Sequence, residues 1–142
     1  GHLYHGTITH VMLGAGGDHP GPYGLLRVVR ECAGATAAAC LMRADVFREV
    51  GGMNVDFAAN YNDVDLSMTV RAAGYRILWT PYASWYHFES RSFVHPIDPG
   101  ETALIERRWG PSLYVDPYAN PNLTPARADW LELPHVSETS VY

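Results

Sequence analysis

The sequence predicts an α/β fold on two observations. Three segments carry the capping residues and apolar spacing of helices, and short runs rich in β-branched and aromatic residues lie between them. Strand and helix signals that alternate in this way are typical of α/β domains. The chain has 142 residues and is 47% apolar and 18% charged. That composition fits one folded domain and excludes a disordered chain or a coiled coil.

The first third of the chain predicts two strands separated by a loop. Residues 3–13 combine β-branched and aromatic side chains and predict the first strand. Residues 14–24 contain five glycines and two prolines and predict a loop. The small apolar run 36–42 predicts a buried strand. Cys32 and Cys40 lie in small apolar surroundings, so we expect reduced core thiols, with a disulfide between them as the alternative.

Two of the three predicted helices have clear ends in the sequence. Residues 43–50 predict a short helix that ends at the following glycine pair. Residues 98–109 predict a longer helix, because its start and end carry favourable residue types. These are Asp98 at the N-cap, Pro99 at the first position, Glu101 at the third position of a capping box, and Gly110 after the last helical residue.

The helix predicted for residues 62–73 has a strongly polar start. Asn62 is the expected N-cap, and Asp63 and Asp65 place negative charge in the first turn, where the helix dipole favours it. Gly74 is expected just after the last helical residue. The predicted apolar face consists of Val64, Met68 and Ala72, and of Leu66 and Val70 beside them.

The remaining segments predict extended and irregular structure. Residues 75–79 predict a strand that ends at a Thr-Pro pair, and residues 82–88 predict a further extended segment. From position 111 to the last residue the chain contains five prolines and little periodicity. We therefore expect an irregular tail from about residue 111.

Charge and composition exclude several classes of function. The net charge is −5, with ten arginines and no lysine, which argues against nucleic acid as a partner. No apolar run approaches the roughly 18 residues that span a bilayer, and the first residues lack the basic and apolar regions of a signal peptide. The sequence has neither a phosphate-binding loop nor a G-x-S-x-G nucleophile elbow.

The acidic start of the helix at residue 62 is the first candidate site. An aspartate at a junction between a loop and a helix can face a cleft and accept a proton from a substrate hydroxyl. In the structural alternative, Asn62 caps the helix while Asp63 and Asp65 charge its first turn. The two aspartates are two positions apart and do not share a helix face. We therefore expect one to act on substrate while the other caps, rather than an acid/base pair.

The second candidate site lies around His87. This histidine is a ligand of a divalent ion if carboxylates join it; in the alternative it is a structural histidine beside aromatic residues. Glu89 and Arg91 pair with each other or orient their neighbours, and Trp85 stacks on a sugar ring or packs in the core. The spacing of the histidines near the N-terminus, His2, His5, His10 and His19, matches no zinc site.

Several motifs follow one another along about residues 1–125. They are the opening GHLYHGTI, the helix that ends in Gly-Gly, N-D-x-D-L, R-x-x-G-Y-R-I, T-P-Y-A, Y-H-x-E-S and the later RRWGPSLYVDPYANPNLT. Together and in this order they resemble the C-terminal half of the catalytic domain of family 2 glycosyltransferases, of the bacterial type that builds surface polysaccharides such as O-antigen or rhamnan.

The resemblance implies the acceptor-side portion of a GT-A fold and inverting transfer of a sugar from a nucleotide-sugar donor to a glycan or lipid-linked glycan acceptor. The acidic motif of the family falls on Asn62-Asp63, which implies that Asp63 is the catalytic base. Asn62 stands where the family often has glutamate. The family's metal-binding histidine falls on His87, which implies a divalent cofactor, Mn²⁺ or Mg²⁺. A cytoplasmic protein at the inner face of the bacterial membrane is also implied.

By this resemblance, the donor-binding half of the family would lie before residue 1. The D-V-D at 63–65 stands at the position of the base and not at that of the D-x-D metal motif, and the sequence has no other D-x-D. We therefore expect a single partial domain, residues 1–142, that transfers no sugar in isolation and holds a metal weakly. An apolar sheet edge left without its other half favours a homodimer. A non-catalytic carbohydrate-binding or assembly module is the alternative. An unrelated metal-dependent hydrolase that uses Asp63, Asp65 and His87 is disfavoured.

Overall fold

The computed structural model describes residues 2–5, 7–86 and 96–124. Its strands and helices are short and alternate along the chain. They are β1 (His2–His5), β2 (Thr7–His10), β3 (Arg30–Glu31), α1 (Ala44–Glu49), α2 (Asn62–Ala72), β4 (Leu78–Trp79) and α3 (Pro99–Trp109), with 3₁₀ turns at Pro22–Arg27, Ala37–Ala39 and Gly110–Tyr114. Within these ranges no helix has both the length and the apolar character needed to cross a bilayer.

The N-terminal segment forms a hairpin and not the single strand predicted for residues 3–13. β1 and β2 pair antiparallel, with His2 opposite His10 and Tyr4 opposite Ile8. The prediction was wrong because both strands have the β-branched and aromatic content of one continuous strand, so residue types alone do not reveal that the segment folds back on itself. The hairpin places the first residue of β1 beside the last residue of β2, so the rings of His2 and His10 are neighbours.

A second pair of strands joins distant parts of the chain. β3 and β4 pair antiparallel, with Arg30 opposite Trp79 and Glu31 opposite Leu78. The Arg30 guanidinium also lies 5.6 Å from the centre of the Trp79 ring. The strand predicted for residues 75–79 is therefore present but is limited to its last two residues. The described part of the chain thus contains two small antiparallel sheets, and the assignment to a GT-A fold remains a prediction.

The segment 36–42 is exposed and is not the buried strand that was predicted. Thr36 caps a 3₁₀ turn by accepting a hydrogen bond from the Ala38 N–H, and Leu41 is 100% exposed. The prediction failed because alanines make the run apolar without giving it the bulk or the β preference of a core strand. Cys32 is a buried free thiol as expected, whereas Cys40 is a free thiol that is exposed.

The core surrounds α2. Of its predicted apolar face, Ala72 is exposed, whereas the polar residues Asp65 and Ser67 are buried along with the apolar ones. The helix is therefore enclosed on several sides, which a single apolar stripe did not predict. The main core consists of Tyr4, Ala33, Phe57, Val64, Met68, Ile105 and Leu113.

The ends of the predicted helices agree with the structure at most positions. α1 ends before Gly51 and Gly52, both of which have positive φ. Gly74 ends α2 in a Schellman motif, in which its N–H donates to the Arg71 carbonyl and the next N–H donates to Val70. The start of α2 differs from the prediction. The N-cap is Tyr61, in the left-handed conformation, and Asn62 is the first helical residue.

The C-terminal region is more ordered than the irregular tail predicted from about residue 111. α3 begins as expected, with the Asp98 carboxylate accepting a hydrogen bond from the Gly100 N–H at 2.7 Å. A 3₁₀ turn follows directly, and Leu113 and Leu123 are buried. Residues 82–86, predicted as part of an extended segment, contain no regular secondary structure. Residues 125–142 lie outside the described part of the chain.

Glu101 connects α3 to the loop before α2. Its Oε1 accepts a hydrogen bond from the Ala59 N–H at 2.8 Å, and its Oε2 accepts one from the Asn60 side-chain amide at 2.8 Å. Glu101 was predicted to complete a capping box within its own helix, but it accepts hydrogen bonds from the loop before α2 instead. These hydrogen bonds, first that of Ala59 and then that of the Asn60 side chain, hold the pKa of Glu101 below its ordinary value of 4.5.

We expect Glu101→Gln to lower thermal stability at neutral pH and to have a much smaller effect in acid. Because the folded-state pKa is depressed, the stability that charged Glu101 contributes is present in full above about pH 4.5 and is lost as pH falls through the lowered pKa. The unfolding midpoints of wild type and variant, measured from about pH 7 to about pH 3, should therefore converge. Glu106→Gln on the exposed side of α3 is the control. A difference between the unfolding midpoints of wild type and Glu101→Gln that stays constant over this pH range would contradict the prediction.

Candidate functional site

A cavity of about 140 Å³ lies between the hairpin and the start of α2. Its wall combines hydrogen-bonding groups with apolar side chains. The lining residues are His2, Ile8, Thr9, His10, Asn60, Tyr61, Asp63, Val64 and Ile97. Such a mixture of apolar surface and a few convergent polar groups is typical of a small-molecule site.

Asp63 presents a carboxylate to this cavity. Its side chain is 20% exposed, and its Oδ2 accepts a hydrogen bond from the Ala37 N–H at 3.0 Å. The Nε2 atom of His2 lies 3.7 Å from the same oxygen. No hydrogen bond to Oδ1 is formed by any residue within 2–5, 7–86 or 96–124. Oδ1 is therefore the oxygen of this carboxylate that keeps its full capacity to accept a hydrogen bond.

The loop before α2 determines where Asp63 lies. Tyr61 has φ 62°, in the left-handed region, and this turn directs the chain into the helix. The Tyr61 hydroxyl is 3.3 Å from the Thr102 hydroxyl of α3, and Asn60 is bound to Glu101. α3 therefore fixes the two residues that precede the start of α2, and through them the position of Asp63.

Asn62 does not line the cavity. Its Oδ1 accepts a hydrogen bond from the Asp63 N–H at 2.7 Å. This bond satisfies one of the N–H groups that the first turn of a helix leaves without a helical partner. The side chain of Asn62 therefore supports the start of α2 locally.

Asp65 points away from the cavity and is 2% exposed. Its Oδ1 lies 2.5 Å from the Arg108 Nε and accepts a hydrogen bond from the Trp109 Nε1 at 2.6 Å. Both partners belong to the last turn of α3. Asp65 therefore joins the start of α2 to the end of α3, and it does not cap its own helix as the sequence suggested.

The second candidate site is only partly described. Trp85 is 68% exposed and is not part of the cavity wall, which excludes the core position considered for it. His87, Glu89 and Arg91 lie outside the described residues. Within the described ranges, no three His, Cys, Asp or Glu side chains are grouped so that they could hold a metal ion.

Sequence reasoning did not identify the role of His2. It grouped His2 with the other N-terminal histidines and tested only their spacing as metal ligands. His2 is 3% exposed, and burial lowers its pKa to about 4 although the nearby Asp63 carboxylate favours the protonated form. This ring reaches the cavity only because β1 pairs with β2 and the resulting hairpin lies beside the start of α2. A sequence pattern carries no signal for that.

Comparison with known proteins finds two curated proteins that are similar to most of the chain. The chain is 31% identical over 113 residues to the O-antigen biosynthesis protein RfbC of Myxococcus xanthus. The matched region is 76% of this chain and 9% of that protein. The chain is also 35% identical over 134 residues to the uncharacterized protein y4gI of Sinorhizobium fredii. Here the matched region is 89% of this chain and 15% of that protein. The chain thus spans a small part of these relatives. No family model and no solved structure matches it.

Proposed function

We propose that the chain is the acceptor-side part of an inverting family 2 glycosyltransferase and that Asp63 is its general base. The similarity to an O-antigen biosynthesis protein supports this class of function, as does the family order of the sequence motifs. The observation that carries the proposal is the contrast between the two aspartates. Asp63 offers an oxygen to a cavity, whereas Asp65 is buried in an ion pair.

In the proposed reaction, Asp63 removes the proton from an acceptor hydroxyl as the hydroxyl oxygen attacks the anomeric carbon of the donor sugar. A new C–O bond forms on one face of that carbon, and the bond to the nucleoside diphosphate breaks on the other face. The diphosphate leaves with the bonding electrons, and the configuration of the carbon is inverted. An ionised carboxylate within hydrogen-bond reach of the hydroxyl suits this proton transfer.

The donor side and the cofactor are also part of the proposal. A GT-A domain needs a further half that binds the nucleotide sugar, together with a divalent metal that neutralises charge on the diphosphate. The present residues would contribute the acceptor side, at the inner face of the bacterial membrane, to a lipid-linked or soluble glycan. A homodimer of the isolated part, formed through the face that the other half would cover, belongs to the same proposal.

An assay of the natural protein that contains this chain tests the proposal. The protein is mixed with nucleotide sugars, manganese and glycan acceptors, and both nucleoside diphosphate release and a new glycosidic product are measured. We expect the natural protein to transfer sugar and the 142-residue chain alone to transfer none, because the proposal assigns the donor site to a further half of the domain. Turnover by the chain alone, or no transfer by the natural protein with any donor, would contradict the proposal.

The alternative function is a non-catalytic carbohydrate-binding or assembly module. The observation that favours it is a group of exposed aromatic rings, since Tyr82 is 83%, Trp85 68% and Tyr86 95% exposed. Aromatic faces of this kind stack on sugar rings. In this case the chain alone would bind glycans, Trp85→Ala would weaken the binding, and Asp63→Asn would leave it unchanged.

A further inference from the structure

His2 is fixed firmly beside the cavity. Its backbone N–H donates to the Gly34 carbonyl at 2.8 Å. Its ring centre is 5.3 Å from that of His10 and 6.1 Å from that of Tyr4. The ring is therefore held between the hairpin and α2, and a buried side chain with these neighbours has little rotamer freedom.

The two nitrogens of this ring have different surroundings. Nε2 faces the Asp63 carboxylate, 3.7 Å from Oδ2. Nδ1 is buried and forms no hydrogen bond with the described residues, and the same is true of the Tyr4 hydroxyl. Both atoms border the backbone of Gly34, where a Cβ would lie 2.8 Å from Nδ1 and 2.5 Å from the Tyr4 oxygen. Because Gly34 has no side chain, these two polar atoms can both lie close to its backbone.

These surroundings favour one protonation state. Burial keeps the imidazole neutral at neutral pH, since its pKa is about 4. A neutral ring carries one proton, and the Nε2 position directs it toward a carboxylate. Nδ1 is then the acceptor nitrogen of the ring, and the described residues give it no hydrogen bond. The ionisable groups that act on the pKa of the ring are Asp63 from α2, His10 from β2 and the amino group at the start of the 142-residue chain, and the Tyr4 ring of β1 lies beside it.

We infer that His2 is a positioning residue for Asp63, whose imidazole limits the movement of the carboxylate at Oδ2 and leaves Oδ1 free to accept a hydrogen bond. Ala37 restrains the same oxygen through its N–H. A neutral partner orients the carboxylate without the positive charge that would make it a weaker base. The inference rests on the proposed role of Asp63 as the base.

A first experiment tests the arrangement without any activity. The 142-residue chain is prepared with ¹⁵N-labelled histidine, and the ring nitrogens are followed by NMR as a function of pH. We expect His2 to carry its proton on Nε2 at about pH 7 and to remain neutral until the pH approaches 4. A proton on Nδ1, or titration near the ordinary value of 6.5, would overturn the inference.

A second experiment measures sugar transfer in the natural protein. His2→Leu removes the polar contact and should lower kcat by about 10-fold to 100-fold at nearly constant KM, since small misplacements of a catalytic group have effects of this size. His2→Gln keeps an N–H donor and should recover much of the loss. His19→Gln, in the exposed loop after β2, is the matched control. Folding of each variant is checked by its unfolding midpoint.

The outcomes separate this inference from the proposed function. Transfer that depends on Asp63 but is unchanged in folded His2→Leu would overturn the positioning role and leave the proposed function intact. A natural protein that transfers no sugar would overturn the function, and with it the role of His2 in catalysis, even if NMR finds the expected proton position. Loss of kcat in His2→Leu with recovery in His2→Gln supports both.

Discussion

Asp63→Asn is expected to lower sugar transfer by the natural protein by about 10²–10⁴-fold, the usual contribution of a general base. Asparagine has the same shape, and its side-chain oxygen can still accept the Ala37 N–H that Asp63 accepts at 3.0 Å. It cannot take a proton from an acceptor hydroxyl. The effect should therefore fall on kcat, with a nearly unchanged unfolding midpoint, and it is measured by initial rates at saturating donor and acceptor.

Asp45→Asn is the matched control for this charge change. Asp45 lies in α1, where it pairs with Arg43 at the surface. Its replacement should leave kcat unchanged. Wild-type kcat in Asp63→Asn would remove Asp63 as the base and would leave the transferase assignment itself intact.

Asp65→Ala is expected to have the largest effect on stability. Breaking a buried ion pair by removing one partner costs about 3–5 kcal/mol. Here the loss should be near the lower end, because Arg108 is 44% exposed and can regain water. The Trp109 indole N–H also loses its acceptor. The free energy of unfolding is obtained by denaturant titration of the 142-residue chain.

Two further variants identify the source of this loss. Trp109→Phe removes the indole N–H together with part of a ring that packs against the core. Because the N–H donates to Asp65, its effect and that of Asp65→Ala should be less than additive when they are combined. Asp45→Ala removes an exposed pair and should leave the denaturation midpoint unchanged. A denaturation midpoint for Asp65→Ala equal to that of wild type would show that the ion pair contributes no stability.

The helices were the part of the fold that could be predicted, because their signals are local. The glycines after α1 and α2 and the aspartate before α3 act within a few residues of their own position. The hairpin and the exposed alanine run could not be predicted in the same way. Whether a short apolar run is buried depends on what packs against it, and this contact comes from residues far along the chain.

The site shows the same division between local and distant information. Asp63 could be recognised because a carboxylate at a helix start has a local signature, and the family resemblance points to the same residue. His2 and Glu101 act across 61 and 41–42 positions of sequence, respectively. Neither residue type nor spacing reports such contacts. His87 remains a prediction from the resemblance.

The two carboxylates that link α2 and α3 have a consequence for how this region can diverge. Glu101 near the start of α3 holds the loop before α2, and Asp65 near the start of α2 holds the end of α3. α3 is thus attached at both of its ends to the start of α2 and to the loop before it, independently of the chain that connects the two helices. Substitutions, insertions and deletions in that connection need not move Asp63.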